Sequence, residues 1–387
     1  MRNFLSEKVV NIPPSGIRKF FDIVSQMKDA ISLGVGEPDF DTPWHIREEG
    51  IYAFERGKTF YSSNSGLKDL RVEISNYIKR KQNLYYNPDN EILVTVGGSE
   101  AIDIALRAIT NPQDEIIIPQ PSYVSYLPCT ILAGGNPIIA QLKEENDFKL
   151  KACELESLIT AKTKAIILPF PNNPTGSIME KHELEEIAKL AIEKDLLVIS
   201  DEIYSELTYG TKHISIAQIE RMKERTVMIN GFSKSYAMTG WRLGYACAPE
   251  FLIKQMTKIH QYSIMCAPTI SQYGAIEALK NGDDDVELMR NSYNQRRRFL
   301  MNEFKKMNIK CFEPFGAFYV FPSIKEFNMT SEEFATRLLK EEKVAVVPGT
   351  AFGDCGEGFL RISYAYSIEN LKIAMERFNN FISRLRS

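Results

Sequence analysis

Short apolar runs rich in β-branched side chains recur through the first two thirds of the chain. They are E-I-L-V-T-V from Glu91, E-I-I-I-P from Glu115, N-P-I-I-A from Asn136, A-I-I-L-P from Ala165, L-L-V-I-S from Leu196 and T-V-M-I-N from Thr226. None alternates apolar with polar, so each reads as a strand buried on both faces, the habit of a parallel sheet. Helical spacing separates several of them: residues 44–56, Leu67 to Lys81, the segment opened by G-G-S-E-A, and His182 to Lys194. Strand and helix in alternation predict an α/β fold, a mostly parallel sheet with helices on both faces.

The pattern changes near residue 285. Long helical stretches (Val286–Met307, Ser331–Glu342, Ile368–Arg384) now flank F-G-A-F-Y-V-F, K-V-A-V-V-P and G-F-L-R-I-S-Y. This reads as a smaller α+β unit. At the other end, Pro13-Pro14-Ser15-Gly16 breaks the chain before an amphipathic stretch from Ile17 to Met27. The expected division is residues 1–45 as an arm and part of the small domain, 46–285 as the large domain, and 286–387 as the rest of the small one.

Ligands of such sheets sit beyond the carboxyl ends of the strands. The polar residues that stand out fall there: Gly98-Ser99, Asn172-Asn173, Asp201 and Lys234 each follow an apolar run. Four polar clusters at four strand ends predict one site. Gly34 and Gly36 in L-G-V-G-E-P-D-F do not make a dinucleotide fingerprint, because the third glycine is missing and Pro38 prevents a helix from opening. A loop that needs close backbone approach at Gly36 fits better.

At 387 residues the chain exceeds one typical core. Its 47 basic and 50 acidic residues leave no electrostatic footprint for nucleic acid. Six scattered cysteines without C-x-x-C spacing fit reduced thiols rather than a disulfide framework or a metal site, so no metal is expected. No apolar run is long enough to span a membrane and the first residues lack a signal-peptide core. The expectation is a cytoplasmic protein that binds neither membrane nor nucleic acid.

The chemistry centres on N-G-F-S-K-S-Y-A-M-T-G-W-R-L-G-Y, where Lys234 sits between two serines and Arg242 follows. Partial burial lowers a lysine pKa and frees the amine to attack carbonyls, while arginine offers a planar fork for phosphate. A reactive amine beside a phosphate clamp suits pyridoxal 5′-phosphate; the alternative is a loop lysine and arginine. Helix-start amides at Gly98 and Ser99 form a ready anion site or a plain strand-to-helix turn. Asp201 is either a helix cap or a carboxylate placed to face a ring nitrogen, with Tyr204 one helical turn on. Asn173 lies in a proline-locked turn and either caps itself or reaches a ligand. Tyr123 either stacks on a ring or fills the core. Arg361, alone in an apolar strand, needs an anion: a substrate carboxylate or an internal acid.

In this order, L-G-x-G-E-P-D-F, Y-x-x-x-x-G-L-x-x-L-R, G-G-S-E-A, P-N-N-P-T-G, S-D-E-I-Y, S-K-x-x-x-M-T-G-W-R-x-G-Y, G-A-F-Y and R-I-S-Y span nearly the whole chain. They resemble the class I aminotransferases of the aspartate aminotransferase fold, fold type I of the pyridoxal phosphate enzymes. Within these the chain is most similar to the bacterial branch with aspartate, aromatic and broad-range members. The resemblance implies transamination between an amino acid and a 2-oxo acid such as 2-oxoglutarate, in a homodimer with shared active sites. It implies that Lys234 carries the cofactor and shuttles the proton, that Asp201 pairs with the ring nitrogen, and that Tyr204 and Asn173 bind the phenolate oxygen. Gly98, Ser99 and Arg242 would hold the phosphate, with Tyr61 reaching it from the partner subunit. Tyr123 would stack on the ring, and Arg361 with Gly36 and Asn173 would bind the substrate carboxylate. The chain departs at Gly231, where many relatives have a phosphate-binding serine that Ser233 would replace, and at Tyr123, where tryptophan is frequent. The rival readings are a lyase on the same fold and a non-catalytic regulatory protein. An NAD-dependent dehydrogenase is disfavoured by the incomplete glycine pattern.

Overall fold

The computed structural model describes residues 4–14, 16, 27 and 29–387. The amphipathic stretch expected at Ile17–Met27 lies, except for Met27, outside them. After a short helix, α1 (Glu7–Val10), the first strand is β1 (Ile31–Ser32). The central sheet follows: β2 (Ile92–Thr95), β3 (Glu115–Gln120), β4 (Asn136–Gln141), β5 (Thr163–Leu168), β6 (Leu197–Asp201), β7 (Thr226–Gly231) and β8 (Gly244–Cys247). Its spatial order is β2-β8-β7-β6-β5-β3-β4. From β7 to β4 every pairing is parallel. The strand β8 runs antiparallel to both β7 and β2, so β2 points the same way as the parallel set.

The apolar runs become strands because both of their faces find cover. Side chains alternate across a pleated strand, and here each alternate set meets helices. One set (Ile116, Ile118, Ile167, Ile199, Val227, Ile229) packs on α4 (Gly97–Ile109), α5 (Tyr126–Ala133) and α8 (Glu250–Ser263) through Ile102, Leu106, Leu252 and Met256. The other (Ile117, Ile166, Leu168, Val198) packs on α6 (Ala152–Glu156) and α7 (Lys181–Glu193). At the β2–β8 end, α3 (Lys68–Gln82) and α9 (Thr269–Asn281) close that second face with Leu70, Ile74, Ala275 and Leu279. Each such side chain contributes about 1.5–3 kcal/mol by leaving water. Truncating one in mid-sheet, as in Ile167→Ala, would cost about 2–5 kcal/mol.

The helix after residue 282, α10 (Asp283–Lys306), begins with three aspartates, whose charges favour the positive end of the helix. It starts before the expected 285/286 division, which cuts its first turn. With α11 (Ser331–Glu342) and α12 (Ile368–Arg386) it packs on four short strands, β9 (Tyr319–Val320), β10 (Val344–Ala345), β11 (Val347–Pro348) and β12 (Leu360–Ser363). The three-stranded sheet β11-β12-β9 is antiparallel, and β1 pairs in parallel with β10, placing Leu33 in this second core. The chain between β1 and α2 (Trp44–Glu55) therefore leaves the second core and crosses toward the first. That crossing carries Gly36.

Candidate active site

The carboxyl ends of β2, β3, β5, β6 and β7 open on one cavity of about 350 Å³, faced from the other side by β9, β12 and the Gly36 loop. Of the residues singled out from the sequence, Gly36, Gly98, Ser99, Tyr123, Asn173, Asp201, Tyr204, Ser233, Lys234, Arg242 and Arg361 all line it. Tyr61 does not. It is 80% exposed, as is its chain neighbour Phe60 at 81%.

Lys234 follows β7 in a turn, and its amine donates to the Gly36 carbonyl at 2.5 Å. Burial pushes the amine down from 10.5 to about 8; repulsion from Arg361 and Arg242 adds to this, and Glu37 opposes it. Close to neutrality this amine is within reach of its nucleophilic, uncharged form.

Asp201 ends β6 and is 7% exposed. Burial raises its pKa, against which the Tyr126 hydroxyl donates to the carboxylate at 2.7 Å and the Ile203 amide at 3.2 Å. No cation pairs with it among the described residues. The sequence reading of a helix here is corrected. Residues 203–206 form turns rather than a helix, because the Asp201 side chain captures the Ile203 amide and diverts the backbone. Tyr204 still enters the cavity, with its hydroxyl 2.8 Å from that of Tyr319. Burial raises both phenols, so they remain protonated donors.

Arg361 stands in the middle of β12 and is 2% exposed. It donates to the Asn173 side-chain oxygen at 3.0 Å and to the Gly34 carbonyl, and its guanidinium lies between the rings of Tyr319 and Phe352. Its Nε is buried without a partner, and no carboxylate pairs with it among the described residues. The internal-acid alternative therefore lacks its acid. In the Asn172-Asn173 pair it is Asn172 that caps its own turn, accepting from Thr175, which leaves Asn173 on the cavity. Gly36 has no room for a side chain: a Cβ there would lie 2.5 Å from the Tyr319 hydroxyl.

The fourth corner is the start of α4. Gly97, Gly98 and Ser99 line the cavity where the first helical amides lack intrahelical partners. Arg242 closes over them, donating to the Thr239 and Val96 carbonyls, and no carboxylate claims it among the described residues. Ser99 lies 3.2 Å from the Tyr123 hydroxyl. Gly231 faces Gly244 across the β7–β8 pair, where a Cβ would approach Gly244 Cα to 3.0 Å. A serine at 231 would be crowded there, whereas Ser233 reaches the cavity.

Sequence reasoning missed Tyr126, Tyr319 and Thr239, which also line the site. Tyr319 was within reach in G-A-F-Y. Tyr126 sits one turn after Tyr123, but nothing in P-S-Y-V-S-Y says which tyrosine meets Asp201.

Among the described residues, a lysine amine with a lowered pKa, two arginines without acids and a buried carboxylate without a cation converge on one cavity between two cores. Known proteins resemble this chain over nearly its whole length. The profile of the family described as aminotransferase class I and II matches residues 28–378. The putative aminotransferase YugH of Bacillus subtilis is 52% identical, over 99% of this chain and 100% of its own. The aspartate aminotransferase of Pyrococcus abyssi is 47% identical over 98% of each chain. Among solved structures, the aromatic aminotransferase of Pyrococcus horikoshii superposes with a TM-score of 0.91 at 44% identity, covering 95% of this chain and 99% of that one. The aspartate aminotransferase of Thermus thermophilus, solved with maleate, gives 0.94 at 38% identity, covering 98% and 100%. The chain belongs to the class I and II aminotransferases. It is an enzyme that transfers amino groups, built on the aspartate aminotransferase fold.

Proposed function

We propose that the chain moves an amino group between an L-amino acid and a 2-oxo acid, 2-oxoglutarate among them, by alternating half-reactions with pyridoxal 5′-phosphate bound at Lys234. Aspartate and aromatic amino acids are the proposed donors. The support is that relatives named for both substrates match the whole chain, and that a Thermus thermophilus variant was solved with tryptophan. The observation that carries the reading is the Lys234 amine, held to about 8 in a cavity whose arginines have no internal acid among the described residues.

The residues present fit the cofactor. When bound, it supplies an electron sink for negative charge at the substrate Cα. Asp201, whose carboxylate accepts from the Tyr126 hydroxyl, would hold a proton on the ring nitrogen. Tyr204 and Asn173 would bind the phenolate oxygen, and Tyr123 would lie against the ring. Gly98, Ser99, Ser233 and Arg242 would hold the phosphate, combining helix-start amides with a fixed charge. Arg361, Asn173 and Gly36 would orient the α-carboxylate, and Lys234 would take the Cα proton and return it. The exposed Tyr61 would complete the phosphate site of a second copy in a cytoplasmic homodimer. The exposure of the two neighbouring aromatic side chains Phe60 and Tyr61 supports such a contact. In domain terms, residues 46–285 would bind the cofactor, while 1–45 and 286–387 would bring Gly36 and Arg361 to the substrate.

The test is chemical. Purified protein should be yellow, and borohydride should fix the cofactor irreversibly to Lys234. A label mapped to another lysine would overturn the assignment. A panel of amino donors, followed by loss of the yellow colour, ranks the substrates.

A further inference from the structure

The phosphate end of the cavity is built from a weak piece of backbone. Gly97 has a φ of +79° and is followed by another glycine, a pair with little rigidity of its own. What holds it lies behind the cavity. Glu100, in the first turn of α4, accepts the Val96 amide on Oε2 at 2.5 Å. Its Oε1 lies 2.6 Å from Nδ1 of His260, a fully buried histidine on α8 whose Nε2 has no partner among the described residues. The Val96 carbonyl accepts from Arg242, and the Thr95 hydroxyl donates to the Gly97 carbonyl. Val96, the residue just before the helix, is thus gripped on its amide by Glu100 and on its carbonyl by the arginine of the cavity.

We propose that Glu100, braced by His260, is a positioning residue for phosphate: it fixes the Val96 peptide so that the Gly97–Ser99 amides and Arg242 face one anion. Glu100 does not line the cavity. The geometry explains why a carboxylate stands behind a site for an anion. Its two oxygens are spent on the Val96 amide and the His260 imidazole, and its charge lies within the helix start whose dipole it complements. With the acceptor removed, the Val96 amide is left without its partner and the glycine pair is free to turn its amides away. The inference rests on the cofactor reading above and adds to it the source of the cradle's order.

The experiment compares binding of pyridoxal 5′-phosphate and of pyridoxal, which lacks the phosphate, by absorbance titration of full-length protein freed of cofactor. The parent is titrated first. A parent that links neither compound to Lys234 defeats the cofactor reading itself. In a parent that does, Glu100→Leu, which keeps apolar volume and helix propensity, should weaken pyridoxal 5′-phosphate by roughly ten- to a hundredfold. Pyridoxal should change by less than about twofold. Glu100→Gln, which keeps an acceptor for Val96, should restore affinity to within about threefold of the parent. Equal weakening of both compounds by Glu100→Leu, or unchanged affinity for the phosphate form, would overturn the proposal. So would a Gln variant as weak as the Leu variant. Should Glu100→Leu not fold, His260→Gln carries the same comparison, with a phosphate-only loss of roughly fivefold or more supporting the brace and an equal loss refuting it.

Discussion

Keeping Lys234 ready to react should cost the folded protein stability, and the cost should depend on pH in a direction fixed by the structure. Burial lowers the amine from 10.5 to about 8. Below pH 8 the amine is charged in both folded and unfolded chains, and the gap between the two values corresponds to about 3 kcal/mol of destabilisation. The side chain is partly exposed to the cavity, so about 2 kcal/mol is the working figure. Lys234→Met removes this penalty and loses the hydrogen bond to the Gly36 carbonyl, worth about 1 kcal/mol. Cofactor-free Lys234→Met should therefore be more stable than the parent by about 1 kcal/mol at pH 7. Between pH 8 and 10.5 the unfolded lysine binds more protons than the folded one, so the parent gains stability as pH rises. The advantage of the variant should shrink through this window and reverse above it, where only the lost hydrogen bond remains. Urea unfolding of both proteins at pH 7 and 9.5, at one protein concentration, measures the difference. A variant less stable at pH 7, or an advantage that grows at pH 9.5, would refute the argument.

Two further outcomes follow from Arg361 and Gly36. Arg361→Lys cannot reproduce a two-point grip on a carboxylate, so kcat/KM for amino acids should fall by roughly 1.5–3 kcal/mol while simple amines are little affected. Equal losses for both substrate types would make the arginine structural. Gly36→Ala places a methyl 2.5 Å from the Tyr319 hydroxyl and should push Tyr319 from Tyr204, raising KM roughly tenfold. Cofactor attachment at Lys234 should persist, and its loss would mean that the Gly36 loop is needed for more than substrate binding.

The parts of this protein legible in the sequence are those decided locally. Continuous apolar runs flanked by helical spacing can only be strands covered on both faces, and the lysine, aspartate and asparagine that follow them are set at the site end by chain direction alone. What escaped was decided by contacts distant in sequence. Four residues from Gly244 to Cys247 form an antiparallel strand between β2 and β7, and no property of G-Y-A-C states its direction or its neighbours. An aspartate at the end of an apolar run suits a helix cap with Tyr204 one turn on, yet the Asp201 carboxylate takes the Ile203 amide and the chain continues in turns. The Asp201–Tyr126 bond joins residues 75 positions apart, and the Glu100–His260 pair spans 160. Such partners are fixed by strand order, so a tyrosine or histidine that matters to the site looks in the sequence like any core residue. Tyr61 marks the same limit one level higher. By the resemblance its motif belongs at a phosphate, yet its own chain leaves it 80% exposed and outside the cavity, and no local property of the sequence states where such a side chain is used.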